Sequence, residues 1–359
     1  MVFRKALLRE LATVALGTFL VLLGITLTTQ LVRFLGQAAS GAITSAGVVA
    51  LLGFTLLGYL PVLISLTLFI AVLMTLTRSY RDSEMIVWFS CGLGLTQWVR
   101  PVVIFALPLV FTIALLSLGL SPWAGTKAEE FRRLMESRDD VSAVSPGVFR
   151  ESRQAERVYF VEEVSGKENV VANVFVSSTQ HQKTGVMVAA QGFQETMPNG
   201  DRFLVLLNGR RYEGEAGTPE YRVAEFQRYA MRIEAAELVA RAPTTKTTPT
   251  QELLNSRTPA NMAELSWRVG LPISAMLLSL LAIPLSFVNP RAGRSMNLLL
   301  ALLIYASYSN LLSIMQASIS QSRVGFMTGL WGVHVLMALI LIALFYRRIT
   351  VFSLFRLFR

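Results

Sequence analysis

Cysteine is almost absent from this 359-residue chain. Cys91 is the only one, which excludes an intramolecular disulfide and any cysteine-built metal site. Histidine is nearly as scarce: His181 and His334 form no H-E-x-x-H pair. His334 lies inside an apolar run, where a packed, hydrogen-bonded imidazole is the commoner role than a proton relay. No G-x-x-x-x-G-K-[ST] loop exists, because the single Gly166-Lys167 pair is followed by Glu168; a bound nucleotide has no phosphate cradle of that kind here. No metal or cofactor is expected. Charge is also sparse. With 53% hydrophobic residues, 16% charged and a mean hydropathy of +0.51, the chain is too apolar for a water-soluble domain and reads as an integral membrane protein.

Acidic residues are missing from one part of the chain. Of 33 basic and 23 acidic residues, 18 basic and 20 acidic fall within 121–265, leaving 15 basic but only Glu10, Asp82 and Glu84 for everything else. A nearly neutral polar domain is therefore set into a strongly basic apolar framework. In a soluble protein a pI near 10.1 would point to nucleic acid, but here the bases gather at the ends of apolar runs, as membrane topology alone demands, so no nucleic-acid partner is expected. The six apolar runs themselves carry no carboxylate. A carrier driven by protons or sodium needs one at membrane depth. The chain can thus neither hydrolyse ATP nor couple to an ion by itself, and energy for any transport must arrive from a partner.

The apolar runs come in order. After the basic start MVFRKALLRE, residues 11–32 are 22 uncharged positions, enough to span and too long for the core of a cleaved leader. No charge then appears for the 44 residues between Arg33 and Arg78. That gap holds a Gly/Ala/Ser turn near 36–46 and a second helix of about 30 residues, which Pro61 is expected to kink and which must tilt or protrude. A third span covers about 101–120. Three more follow at 269–290, 295–322 and 324–346. Small residues in span two (Gly47, Gly53, Gly58) and span five (Ala301, Ala306, Ser307, Ser309, Ser313) predict closely packed faces. Basic residues concentrate at both termini, at 78–100 and at Arg291 and Arg294, which places the termini and the 78–100 stretch in the cytosol.

Between spans three and four the character changes. Residues 121–140 read as a helix leaving the membrane, after which short alternating segments arrive at regular intervals, separated by turn signals such as Ser165-Gly166, Asn208-Gly209 and Gly217-Thr218-Pro219. This is the pattern of an all-β domain, a jelly roll or sandwich. The fold class expected is therefore an α-helical membrane protein of six spans with an inserted, jelly-roll-like domain on the far side of the membrane. Its parts are 1–120, 121–265 and 266–359. Tyr229, Met231 and Ile233 fall on one strand face, Ala230 and Arg232 on the other. With Phe160, they form a candidate apolar groove. The stretch 241–251, RAPTTKTTPTQ, is a linker back to the membrane.

The polar interruption at 78–100, RSYRDSEMIVWFSCGLGLTQWVR, lies between spans two and three. Asp82 or Ser83 can cap a short helix whose first turn holds Glu84 and whose end is marked by Gly92 and Gly94. Met85, Trp88 and Phe89 share a face at i, i+3, i+4. Such a stripe either lies in the lipid interface or docks into another protein from the cytosol.

The arrangement resembles the transmembrane permeases of the lipopolysaccharide export ABC transporter, in particular the F-type subunit. The resemblance rests on the 3 + β + 3 order together with LVRFLG (31–36), SEMIVWFSCGLG (83–94), NGRRYEG (208–214), AELSWR (263–268) and PLSFVNPRAGR (284–294). It implies a heterodimer with a G-type permease, a cytosolic ATPase dimer, a single-span bridging jelly-roll protein and a periplasmic jelly-roll protein. It implies a bacterial inner-membrane location, extraction of lipopolysaccharide, and lateral gates formed by spans one and five.

Residue by residue, Glu84 is expected to make a polar contact in a coupling helix that inserts into the ATPase, with Met85, Trp88, Phe89 and Arg81 beside it. Arg33, flanked by Gln30 and Phe34, corresponds to a basic residue at the outer rim of the lipid cavity. A guanidinium fork suits lipid phosphates, although an arginine at a span end is as readily an interfacial snorkeller. Family members often carry lysine where this chain has Gln30. Asn289, Pro290 and Arg291 are expected to form a cytosolic turn. Two other readings remain: a permease for another amphiphile, such as a lipoprotein or phospholipid, and a membrane-anchored scaffold.

Overall fold

The computed structural model describes residues 2–39, 43, 45–92, 94–142, 149–151, 157–165, 170–180, 183–196, 202–215, 221–233, 244–287 and 296–349. The contacts below are those among these residues. Two compact units emerge: residues 1–130 with 243–359, and residues 131–242.

The first unit is helical, because in hydrocarbon a backbone must satisfy every N–H and C=O within its own segment. α1 (Val2–Ala39) and α2 (Ser45–Arg81) are followed by the short α3 (Glu84–Ser90), then α4 (Val99–Leu115). The later helices are α6 (Thr250–Asn255), α7 (Pro259–Leu285), α8 (Met296–Ser320) and α9 (Phe326–Ile349). Five stretches are long and apolar enough to cross a membrane: 5–39, 47–81, 95–134, 259–285 and 326–349. α8 is uncharged over all its 25 residues, which at 1.5 Å per residue reach about 37 Å. The polar threonines of α1 do not need water, since the hydroxyls of Thr13, Thr26, Thr28 and Thr29 each donate to the carbonyl four residues earlier.

Packing is centred on α2 and α7. Leu68, Phe69, Val72 and Leu76 of α2 and Leu271, Ala275, Leu278 and Ala282 of α7 are buried at helical spacing, and with Val102 and Ala106 of α4, Tyr308 of α8 and Val333 of α9 they make one core. α1 leaves Leu16, Leu20, Val21, Ile25 and Val32 exposed. Lipid or a second membrane chain can cover such a face without the penalty water would impose. Close helix approach differs from the sequence expectation: a Cβ on Gly53 or Gly58 would meet nothing within 4 Å, whereas one on Gly329 would stand 2.6 Å from the Ile319 side chain. Ala306 and Ser313 of α8 are likewise uncovered. Gly53, Gly58, Ala306 and Ser313 therefore do not serve contacts within this chain, whereas Gly47 is buried. His334 is the packed imidazole expected, with Nδ1 2.6 Å from the Tyr308 hydroxyl.

The third span does not stop at residue 120. α4 passes through a single π turn (Leu116–Leu120) into α5 (Ser121–Ser142), and that turn receives the chain on its return. Thr250 donates its hydroxyl to the Leu118 carbonyl at 2.5 Å, and Ser117 donates to the Arg268 carbonyl at 3.1 Å. Arg268 is only 2% exposed. Its guanidinium donates to Glu264 (3.0 Å), to the Thr250 hydroxyl (2.8 Å) and to the carbonyls of Thr245 and Lys246 (3.1 Å each). Gln316 of α8 donates to the other Glu264 oxygen at 3.2 Å. The expectation of spans without a buried acid is thereby corrected. α7 begins ten residues before the apolar run, and Glu264 is buried in its second turn because Arg268, one turn on, neutralises it.

The second unit contains β1 (Arg150–Glu151), β2 (Arg157–Ser165), β3 (Val170–Gln180), β4 (Lys183–Thr196), β5 (Arg202–Glu215) and β6 (Tyr221–Ile233). It is the all-β insertion the sequence predicts. Every strand pairs antiparallel with its sequence neighbour, so the connectivity is a meander rather than a Greek key. Pairing is interrupted along one row that crosses the sheet through Glu162, Asn173, Ala190, Asn208 and Gln227. Asn173 and Asn208 both take φ of 51°, the left-handed region that asparagine tolerates best after glycine. A residue of that hand reverses the inward–outward alternation. Val174, Val176, Met187 and Ala189 on one side of the row and Val171, Leu204, Leu206, Tyr229 and Met231 on the other can thus line one apolar face.

Two outcomes follow from these contacts. Arg268→Ala strands a buried carboxylate and is expected to cost about 3–5 kcal/mol, read as lowered thermal stability in detergent, while Glu264→Leu with Arg268→Met costs less than either single change. Gly209→Val is expected to unfold the sheet locally, because even a Cβ would lie 2.5 Å from the Phe226 ring and from the Val188 carbonyl; hydrogen exchange of β4 to β6 reports it.

Candidate functional site

At the end of α2 the chain turns back through Asp82 and Ser83, with Ser83 at φ 60°, and enters the seven-residue α3. Ser83 holds the cap position but its side chain makes no capping bond. The helix ends at Cys91, and Gly92, at φ 81°, donates its N–H to the Phe89 carbonyl at 3.0 Å. Glu84 occupies the first turn as expected.

The apolar stripe of α3 is turned the other way from the sequence expectation. Met85 is 1% exposed and belongs to the core of its own unit, together with Trp98 and Leu76, and Trp88 packs half-buried against the same core. Phe89 remains partly exposed and sits 6.3 Å from the Tyr80 ring. What α3 offers outward is Ile86, 67% exposed, and Val87, 61% exposed. These two were missed because a period of three and four selects the buried face of a short helix as readily as a docking face. Beside them lie Arg81 and Asp82, joined at 3.2 Å.

A second missed group holds the segment in place. Arg78 directs Nε and Nη2 at the two oxygens of Glu10 in α1, the latter at 2.8 Å. The same guanidinium meets Glu84 through Nη1 at 3.0 Å and Nη2 at 3.2 Å, and Asp82 through Nη1 at 3.1 Å. The only three acids outside 121–265 therefore converge on one arginine. Each pair is partly exposed and worth a few tenths to about 1 kcal/mol, but the fork geometry fixes where Glu84 points. On the other flank, rings continue from Phe89 to Tyr80, to Phe287 at 5.5 Å, and to the Arg348 guanidinium 4.0 Å above Phe287. α3 is thus tied to α1 through charge and to α9 through aromatic contact.

The other residues singled out from the sequence divide. Arg33 is exposed on α1. Gln30 is 8% exposed, and Phe34 4%, so these two turn into helix packing and do not flank Arg33 in an open patch. The Gln30 carbonyl oxygen has no hydrogen-bond partner among the described residues. In the second unit Tyr229 and Met231 lie on the apolar sheet face, and the Tyr229 hydroxyl accepts from Arg211 Nη1 at 2.9 Å; the Ile233 side chain lies outside the described residues. Phe160 is elsewhere. It pairs with Phe175, which points to the sheet's other face, and stacks on Phe149 at 4.6 Å. Asn289, Pro290 and Arg291 lie outside the described residues.

The family model described as lipopolysaccharide export system permease LptF/LptG matches residues 5–347. The chain is 27% identical over 339 residues to lipopolysaccharide export system permease protein LptF of Escherichia coli K12, covering 94% of this chain and 92% of that protein. The same figures hold for LptF of Escherichia coli O157:H7 and of Shigella flexneri. With both helical segments and the inserted sheet inside one match, the chain belongs to the lipopolysaccharide export system permease LptF/LptG family.

Proposed function

We propose that this chain is a permease subunit of an ABC transporter that extracts lipopolysaccharide from the outer leaflet of the bacterial inner membrane and hands it to a periplasmic bridge. The observation that carries this reading is the family match across both helical segments and the sheet. The chain contributes no catalysis; ATP is hydrolysed by a partner dimer. A G-type permease completes the membrane cavity against the uncovered faces of α1 and α8. Both termini and α3 are cytosolic, and the β domain is periplasmic, contacting a single-span bridging protein and a periplasmic jelly-roll protein.

Physical chemistry makes the division of labour necessary. Drawing one acyl chain of about a dozen carbons into water exposes methylenes at ~0.8 kcal/mol each, roughly 10 kcal/mol per chain, and the lipid has several. A lipid this costly to solvate needs a continuous apolar route and an external energy source. In this reading α3 receives that energy. Glu84 supplies the polar contact to the ATPase, and Ile86 and Val87, with Phe89 at the edge, supply the apolar one. Arg33 is the exposed cation for lipid phosphates at the far end of α1.

Glu84→Ala is expected to weaken ATPase co-purification or to uncouple hydrolysis from lipid release; normal export by this variant would remove α3 from the energy path. Ile86→Asp removes about 1–2 kcal/mol of apolar contact and is expected to lower ATPase association tenfold or more, whereas a scaffold without coupling would tolerate it. Photocrosslinkers at Tyr229 and Met231 are expected to capture lipopolysaccharide during ATP turnover, and one at Phe160, on the opposite face, is not. Purified complex whose ATPase ignores lipopolysaccharide but responds to another amphiphile would favour that amphiphile as substrate.

A further inference from the structure

We propose that Arg78 is the positioning residue that makes α3 and the first span move as one body, by holding Glu84 and Glu10 on a single guanidinium. This rests on the reading of α3 as the ATPase contact. It adds a mechanical path from that contact to α1.

Both ends of the path are in view. Glu84 stands in the first turn of α3, beside the outward Ile86 and Val87. Glu10 stands in α1 and is its only acidic residue. Arg78 reaches both because its planar fork has donors on two edges: Nε and Nη2 engage Glu10, while Nη1 and Nη2 engage Glu84. Lysine, a single point charge, could not serve two carboxylates edge-on in this way. Asp82, also on Nη1, closes the third side and leaves little freedom for the guanidinium to rotate.

The consequence is directional. α1 is continuous from Val2 to Ala39, so Glu10 and the exposed Arg33 are 23 residues apart on one rigid element, about 35 Å along the axis. A push on α3 that carries Glu84 is passed by Arg78, at the end of α2, to Glu10 of α1, a helix that packs along α2 and leaves Leu16, Leu20, Val21, Ile25 and Val32 exposed on its outer face. The aromatic path through Tyr80, Phe287 and Arg348 leads instead to α7 and α9, and α7 lies at the packed centre. The charged link joins α3, through the end of α2, to α1; the aromatic link joins it to the end of α7 and to α9.

The test uses the reconstituted complex of this chain with its partner permease, ATPase and bridging protein in proteoliposomes containing lipopolysaccharide. Glu10→Gln keeps the side-chain shape, removes one carboxylate from Arg78 and leaves Glu84 untouched. The expected result is ATPase co-purification and hydrolysis at wild-type levels with lipid released per ATP reduced about fivefold or more. Phe287→Ala serves as a comparison that spares the charged link.

A second readout separates linkage from mere stability. Cys91 is the sole, exposed cysteine and takes a nitroxide; a second is placed by Thr13→Cys, at an exposed position of α1, with the partner chains made cysteine-free. In the otherwise wild-type chain the distance between the labels is expected to stay the same with and without ATP bound, and in Glu10→Gln to become nucleotide-dependent. Unchanged lipid yield in Glu10→Gln, or a wild-type distance that already varies with nucleotide, overturns the proposal. If Glu84→Ala itself exports normally, the coupling role of α3 falls as well; if Glu84→Ala uncouples and Glu10→Gln does not, only the link to α1 falls.

Discussion

A carboxylate beside hydrocarbon must meet a cation, and the helical unit is arranged around two places where that happens. Arg78 gathers Glu10, Asp82 and Glu84, and Arg268 holds Glu264. Both arginines act at joints. One lies where α1, α2 and α3 meet, and the other lies where the linker, the π turn, α7 and α8 meet. Burial makes the Arg268–Glu264 pairing obligatory, while the partly exposed Arg78 cluster fixes geometry more than it adds stability.

Elsewhere the unit is permissive. α2 and α7 supply a dense core, and the remaining helices lean on it with much of their surface uncovered. In a soluble protein that much bare leucine would signal aggregation. In a bilayer it costs little, because lipid covers such a face without the penalty water would impose. The Arg268 joint has a parallel use, because it ties the linker from the β unit to helix α7 and, through Gln316, to α8.

Much of the fold was legible in the chain. Long uncharged runs point to spans, and alternating segments between turn signals point to strands. The family motifs made the kind of function legible too. Less legible was the site. Met85, Trp88 and Phe89 do share a helix face, yet periodicity carries no sign saying whether that face looks inward or out. Here the neighbouring core of α2 and α4 claims Met85 and Trp88, and Ile86 and Val87 are left outside. Gln30 and Phe34 were grouped with Arg33 by sequence proximity alone, and packing separates them. Phe160 was placed with Tyr229 and Met231, but strand register sends it to the other face.

By itself, then, the sequence determined the hydrophobic periods, the segregation of charge and the all-β insertion, since each depends on transfer energies that act over local windows. Tertiary structure decided which partner each charge finds. Glu10 and Arg78 are 68 residues apart, and Gln316 lies 52 beyond Glu264, so no local pattern relates them. Tertiary structure also decided how the sheet keeps one apolar face, through two asparagines of left-handed backbone that reverse the alternation. That reversal needs strands on both sides to define what the face is.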